Sequence, residues 1–100
     1  MTYHSILREC QKERDSVRQM IKDVNKKAGW FIGSALVKKE KENAQNNIIR
    51  MYIKLITENI SELRDELDDY DFAPVYDIYT KACDGEEITI DELPDELRLK

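Results

Sequence analysis

Apolar residues recur at helical spacing through the first half of the chain. Ten positions from Tyr3 to Ala35 follow one another at intervals of four and three, and only Arg14 among them is polar. This spacing places them along one side of an α-helix, which Thr2 can cap and no proline interrupts, so we predict a helix over about residues 3–38. We expect it to continue through Gly29 and Gly33, because the pattern crosses both without a change of phase. The positions are Tyr3, Leu7, Cys10, Arg14, Val17, Ile21, Val24, Ala28, Phe31 and Ala35.

A second apolar stripe follows after a polar interval. It predicts a helix over about residues 44–70, and Ile48, Tyr52 and Leu55 widen its apolar side. Two long amphipathic helices joined by a short polar connection are typical of an antiparallel hairpin. The stripe consists of Ile49, Ile53, Ile56, Ile60, Leu63, Leu67 and Tyr70.

The register of this hairpin follows from matching the two stripes. When the numbers of facing residues sum to 84, apolar positions meet along the whole length and the turn lies near residue 42. A turn at residues 29–33, with a sum of 63, places three apolar positions opposite Asn46, Glu42 and Lys39, and a sum of 77 leaves two opposite polar residues. We therefore expect the register of 84. It pairs Val17 with Leu67, Ile21 with Leu63, Val24 with Ile60, Ala28 with Ile56, Phe31 with Ile53 and Ala35 with Ile49, and it brings Arg18 to Glu66, Lys22 to Glu62 and Lys26 to Glu58.

A third, shorter helix is predicted over about residues 72–84. Asp71 is a capping acid, Pro74 suits the beginning of a helix, and Gly85 suits the position just after its end. We expect this helix to cover Leu7 and Cys10. Its apolar face consists of Phe72, Val75, Tyr76, Tyr79, Ala82 and Cys83.

The spacing of apolar residues changes after Gly85. Alternating Ile88 and Ile90 indicate a short extended piece, and residues 91–97 suit one helical turn. We predict that residues 85–100 form an acidic, partly extended segment pinned to the helices by its apolar side chains. The whole chain, residues 1–100, is then a single all-α domain.

Charge is distributed unevenly along the chain. Residues 1–50 hold eleven Lys and Arg against six Asp and Glu, whereas residues 51–100 hold five against fifteen. The predicted hairpin, residues 1–71, balances thirteen bases against thirteen acids, so the net charge of −5 belongs to residues 72–100. This segment is where we expect a partner to bind.

Motifs for catalysis and for cofactors are absent from the sequence. His4 is the only histidine, and Gly29 and Gly33 lack the Lys and Ser/Thr of a phosphate-binding loop. The acids around Asp84 do not have the spacing of a calcium loop, and those of residues 65–71 point around a helix. We therefore expect no enzyme activity, no cofactor and no metal. Cys10 and Cys83 lack zinc-ligand spacing and are expected to be buried thiols.

The sequence offers two candidate surfaces for binding a partner, one acidic and one basic. An acidic surface can dock on a basic, nucleic-acid-binding protein by imitating phosphates, as small acidic helical inhibitors of mobile elements and phages do. A second patch, Lys38, Lys39 and Lys41, is predicted at the hairpin tip, although the isoelectric point of about 4.9 argues against direct binding of nucleic acid. The candidate acidic residues are Asp84, Glu86, Glu87, Asp91, Glu92, Asp95 and Glu96.

The alternative is a homo-oligomeric structural or adaptor bundle, in the manner of a coiled coil, without catalytic activity. Its contacts would come from the widened apolar side of the hairpin, and a small ligand held between protomers near Trp30 is a further option. No apolar run approaches the roughly 20 residues of a membrane span and no signal peptide is present, so we expect a cytoplasmic protein without a membrane partner. The oligomer residues are Ile32, Leu36, Ile48, Tyr52 and Leu55.

Overall fold

The fold is all-α, as the sequence predicts. The computed structural model describes residues 1–98 and, within them, every side chain except those of residues 24, 25 and 27–37. Helical backbone forms α1 (Tyr3–Glu58), α2 (Ile60–Glu66) and α3 (Asp69–Cys83). Two 3-10 turns, Ile90–Glu92 and Asp95–Leu97, complete the chain.

The two ends of α1 pack against each other as an antiparallel hairpin. A straight helix would separate Tyr3 from Tyr52 by about 74 Å. Their hydroxyl oxygens instead lie 2.9 Å apart, and the longest dimension of the molecule is 49 Å. Residues 3–23, the first arm, therefore run antiparallel to residues 38–58, the second arm, which confirms the predicted hairpin.

The predicted register, however, is wrong. The pair Tyr3 and Tyr52 has a sum of 55, far from 84 and nearer to the alternative of 63 that the sequence disfavoured. With this register residue 42, where the turn was expected, lies within the second arm, and its backbone is helical. The predicted pairs and the oligomer and ligand residues that fall on positions 24 and 28–36 lie outside the described side chains.

The register follows from an apolar stripe of the second arm that was predicted only to widen the apolar side of the helix. Ala44, Ile48, Tyr52 and Ile56 repeat every four residues, and each is at most 2% exposed. The last three share one buried cluster with Ile6 and Cys10 of the first arm. Ile49 and Ile53 of the expected stripe are only half-buried, whereas Ile56, which both stripes share, is fully buried. Large side chains at every fourth position thus decide the packing.

The second arm ends at Asn59 and does not continue to residue 70. The Asn59 side-chain amide donates to the Leu55 carbonyl (2.8 Å), and the backbone leaves helical geometry there. α2 then places the Glu66 carboxylate 2.9 Å from the backbone N–H of Tyr3, where it stabilises the first turn of α1. The predicted pairing of Arg18 with Glu66 is therefore wrong, and Arg18 lies 3.8 Å from Asp15 instead.

Capping residues define the ends of the helices. The Thr2 hydroxyl accepts from the N–H of Ser5 (3.1 Å), as predicted, whereas α3 begins three residues early because Asp68 accepts from the N–H of Asp71 (2.7 Å). Gly85 ends α3 with a φ of 76°, a left-handed conformation that favours glycine. The end of α3 thus matches the prediction, and its start is corrected from residue 72 to residue 69.

α3 and the C-terminal segment close the core over the first arm. Val75 and Ile78 of α3 are buried, although the sequence did not place Ile78 on the apolar face. Cys10 is buried as expected, whereas Cys83 is exposed, which corrects that prediction. Within the described residues, no helix has the length and apolar content to cross a membrane.

Candidate functional site

The acidic C-terminal segment is anchored to the fold and carries its charges outward. Ile88, Leu93 and Leu97 are at most 8% exposed and belong to the core. All seven predicted acids are exposed, which follows from the spacing of the three apolar anchors. The face they form, the acidic face, consists of Asp84, Glu86, Glu87, Asp91, Glu92, Asp95 and Glu96.

Polar tethers hold this segment in place. The guanidinium of Arg14 donates to the backbone carbonyl of Glu96, so the one polar member of the first apolar stripe binds the chain terminus. Arg98 donates to the Asp91 carbonyl at 2.6 Å and lies 3.1 Å from the Asp95 carboxylate. These contacts fix the backbone between residues 88 and 98, which carries four of the seven acids, Asp91, Glu92, Asp95 and Glu96.

Glu92 is engaged within the fold by two contacts of its carboxylate. Its carboxylate lies 2.6 Å from Lys81 Nζ and accepts the N–H of Thr89 at 2.8 Å. The hydrogen bond to Lys81 lowers the pKa of Glu92, and the same bond raises the pKa of Lys81. Its charge is thereby partly neutralised, and Glu92 serves the segment's conformation more than an external partner.

A groove of about 990 Å³ lies beside the acidic face. It runs between the beginning of the first arm, the beginning of α3 and the two 3-10 turns. Leucine, isoleucine and proline form its apolar floor, and four carboxylates and three tyrosines complete its walls. The lining residues are Tyr3, Leu7, Tyr52, Leu67, Tyr70, Asp71, Ala73, Pro74, Asp77, Ile78, Glu92, Leu93, Pro94 and Glu96.

Two tyrosine features give the groove polarity. The hydroxyls of Tyr3 and Tyr52 share a hydrogen bond of 2.9 Å, and burial raises the pKa of both. Tyr70, expected on the buried stripe, is instead 87% exposed at the edge of the groove. Tyrosine is enriched among the residues that carry most of the binding energy at protein interfaces.

The other predicted patches are placed differently. Lys38, Lys39 and Lys41 are exposed, but they lie along the second arm and not at a turn near residue 42. Of the oligomer residues, Ile48 and Tyr52 are buried inside the protomer and Leu55 is half-buried. In the part of the chain that the structure describes, no three His, Cys, Asp or Glu side chains converge as metal ligands do.

Sequence reasoning predicted that the acids of the acidic face are exposed and did not identify the groove. The groove combines residues 3–7 and Tyr52 with residues 67–78 and 92–96. The packing of the third helix over Leu7 was expected, whereas the approach of Tyr52 to Tyr3 depends on the observed register. For the C-terminal tether, Arg14 was the available signal, because an arginine within an apolar stripe needs a polar partner. No protein-family model matches this chain, and neither the curated proteins nor the solved structures contain a match to it.

Proposed function

We propose that this protein is a protein–protein interaction module whose acidic face docks on a basic protein surface. The observation that carries the proposal is the anchored acidic face, since its apolar side chains are buried while its acids are exposed. A fixed array of carboxylates recognises cations with less loss of conformational freedom than a flexible acidic tail.

The chemistry of such a partner follows from the charge. The net charge of −5 favours partners with clustered Lys and Arg, and nucleic-acid-binding proteins present such clusters where they contact phosphates. Carboxylates at fixed positions can occupy the same cationic sites. We therefore propose that binding competes with nucleic acid, which makes the protein an inhibitor with no catalytic activity of its own.

The test is capture of host proteins followed by competition. Partners retained by the wild-type chain are identified, and their binding to labelled nucleic acid is measured with and without the chain. The variant Glu86→Lys/Glu87→Lys/Asp91→Lys reverses three exposed acids that lie outside the groove. The matched control Glu42→Lys/Glu58→Lys/Asp65→Lys reverses three exposed acids elsewhere.

We expect the face variant to lose the basic partner and the competition, and the control to keep both. Circular dichroism checks that helicity is unchanged in each variant. Equal capture by the two variants, or partners without basic surfaces, would refute the proposal. A mass in solution that corresponds to a stable oligomer would instead favour the homo-oligomeric alternative.

A further inference from the structure

We propose that the groove binds a short basic segment of the protein partner, with an apolar side chain on its floor and a Lys or Arg against Tyr70 and Asp71. This inference rests on the proposed function and names the part of the partner that is recognised. The acidic face then attracts the partner, and the groove selects the segment.

The dimensions of the groove suit a few residues of an extended or helical peptide. Its volume of about 990 Å³ lies at the upper end of the roughly 300–1,000 Å³ found for ligand sites in proteins. The floor is built from Leu7, Ile78 and Leu93, and α3 and the 3-10 turns form the two walls. A floor of this kind takes one or two aliphatic or aromatic side chains.

The charge of the walls requires cations on either side of that apolar side chain. Four carboxylates line the groove, and none of the described lining residues is a Lys, Arg or His. Lys81, from outside the lining, lies 3.7 Å from Asp77 and 2.6 Å from Glu92 and so offsets those two charges. Asp71 and Glu96 remain as carboxylates available to an incoming cation.

Tyr70 supplies a second and independent feature. Tyr70 is 87% exposed, and it lines the groove together with Asp71. A guanidinium or ammonium group can stack on an exposed tyrosine ring while it pairs with a neighbouring carboxylate. Together, the ring and the carboxylate favour a basic peptide over an apolar or acidic one.

The experiment uses the full chain, labelled with ¹⁵N, and synthetic helical peptides of about twelve residues. The first peptide carries Leu on one side and Lys and Arg beside it. The second replaces Leu with Ser, and the third replaces Lys and Arg with Glu. Amide chemical shifts locate binding, and titrations measure affinity at low and at physiological salt.

Two groove variants have matched controls. Tyr70→Ala removes the exposed ring, and Tyr76→Ala removes another exposed tyrosine of α3 that does not line the groove. Ala73→Arg places a bulky cation in the groove from an exposed position. Its control, Thr57→Arg, places the same side chain at an exposed position of the second arm that does not line the groove.

We expect the first peptide to shift amides of residues 70–78 and 93–96 and to bind at least about tenfold more tightly than the other two. Tyr70→Ala and Ala73→Arg should each weaken it by about tenfold, and the two controls should leave it unchanged. Shifts elsewhere, equal binding of the Ser peptide, equal losses in the controls or no binding at all would overturn the inference.

The two proposals fail separately. If Ala73→Arg still captures the partner while Glu86→Lys/Glu87→Lys/Asp91→Lys does not, the groove inference fails and the acidic face stands. If Ala73→Arg loses the partner while the face variant keeps it, the acidic face fails and the groove stands.

Discussion

The hydrogen-bonded hydroxyls of Tyr3 and Tyr52 allow a quantitative test of the hairpin register. Tyr52 is 1% exposed, whereas Tyr3 is half-buried on the wall of the groove, where water can reach it. The two single Phe substitutions therefore leave different groups without a partner. Because burial raises the pKa of both, both remain protonated hydroxyls at neutral pH.

The expected magnitudes follow from which hydroxyl is left behind. Tyr3→Phe strands the buried hydroxyl of Tyr52 and should lower the free energy of unfolding by about 1–3 kcal/mol. Tyr52→Phe leaves the Tyr3 hydroxyl to water and should cost about 0.5–1.5 kcal/mol. The double variant removes both polar groups, so it should cost less than Tyr3→Phe alone, with a coupling of about 1–2 kcal/mol.

Urea unfolding of the wild type, both single variants and the double variant, followed by circular dichroism, completes the cycle. Purely additive effects would show that the two hydroxyls do not interact. A larger loss of stability for Tyr52→Phe than for Tyr3→Phe would show that the Tyr3 hydroxyl is the more buried of the two. Either result would refute the register in which the beginning of the first arm faces residue 52.

Two further predictions concern the C-terminal tether and the cysteines. The Arg14 side chain is 16% exposed, and Arg14→Met keeps its aliphatic part but removes the hydrogen bond to the Glu96 carbonyl. This variant should lower the free energy of unfolding in urea by about 1–2 kcal/mol and speed hydrogen exchange in residues 95–98. Arg18→Met is the control, and equal effects of the two variants would contradict the tether. Iodoacetamide should modify Cys83 in the folded protein and Cys10 only after unfolding. Burial raises the pKa of Cys10 from 9.0 to about 11, so the folded state retains a proton that the unfolded chain releases. Stability should therefore fall as the pH rises through this interval, and less steeply in Cys10→Ala; an unchanged slope would contradict the assignment.

Helices and their caps could be read from the sequence because they depend on local chemistry. Thr2 caps α1 and Gly85 ends α3, as predicted, since a hydroxyl beside free N–H groups and a left-handed residue are short-range requirements. The break at Asn59 was missed because the apolar pattern continues across it. An asparagine bonding to the carbonyl four residues earlier can end a helix without a change of pattern.

The register was not predicted correctly because the second arm has several apolar stripes that could face the first arm. Ile49 and Ile53 fit a heptad, while Ile48 and Tyr52 fit a spacing of four, and only packing of real volumes distinguishes them. The consequence extends to the candidate site. The exposure of the C-terminal acids depends on the local sequence and was predicted. The packing of the third helix over Leu7 was also expected, whereas the groove further needs Tyr52 beside Tyr3 and was not predicted.

Leu97 lies in the same buried cluster as Ile6, so the core joins residues from opposite ends of the chain. During synthesis, the hairpin emerges first, and its apolar stripe stays uncovered until Leu97 has left the ribosome. Long sequence separation of this kind slows the final folding step and exposes apolar surface in the meantime. Ribosome-bound chains in which Leu93 has not yet emerged should therefore be sensitive to protease and prone to association, while chains held on a C-terminal linker long enough for residue 98 to emerge should be protected.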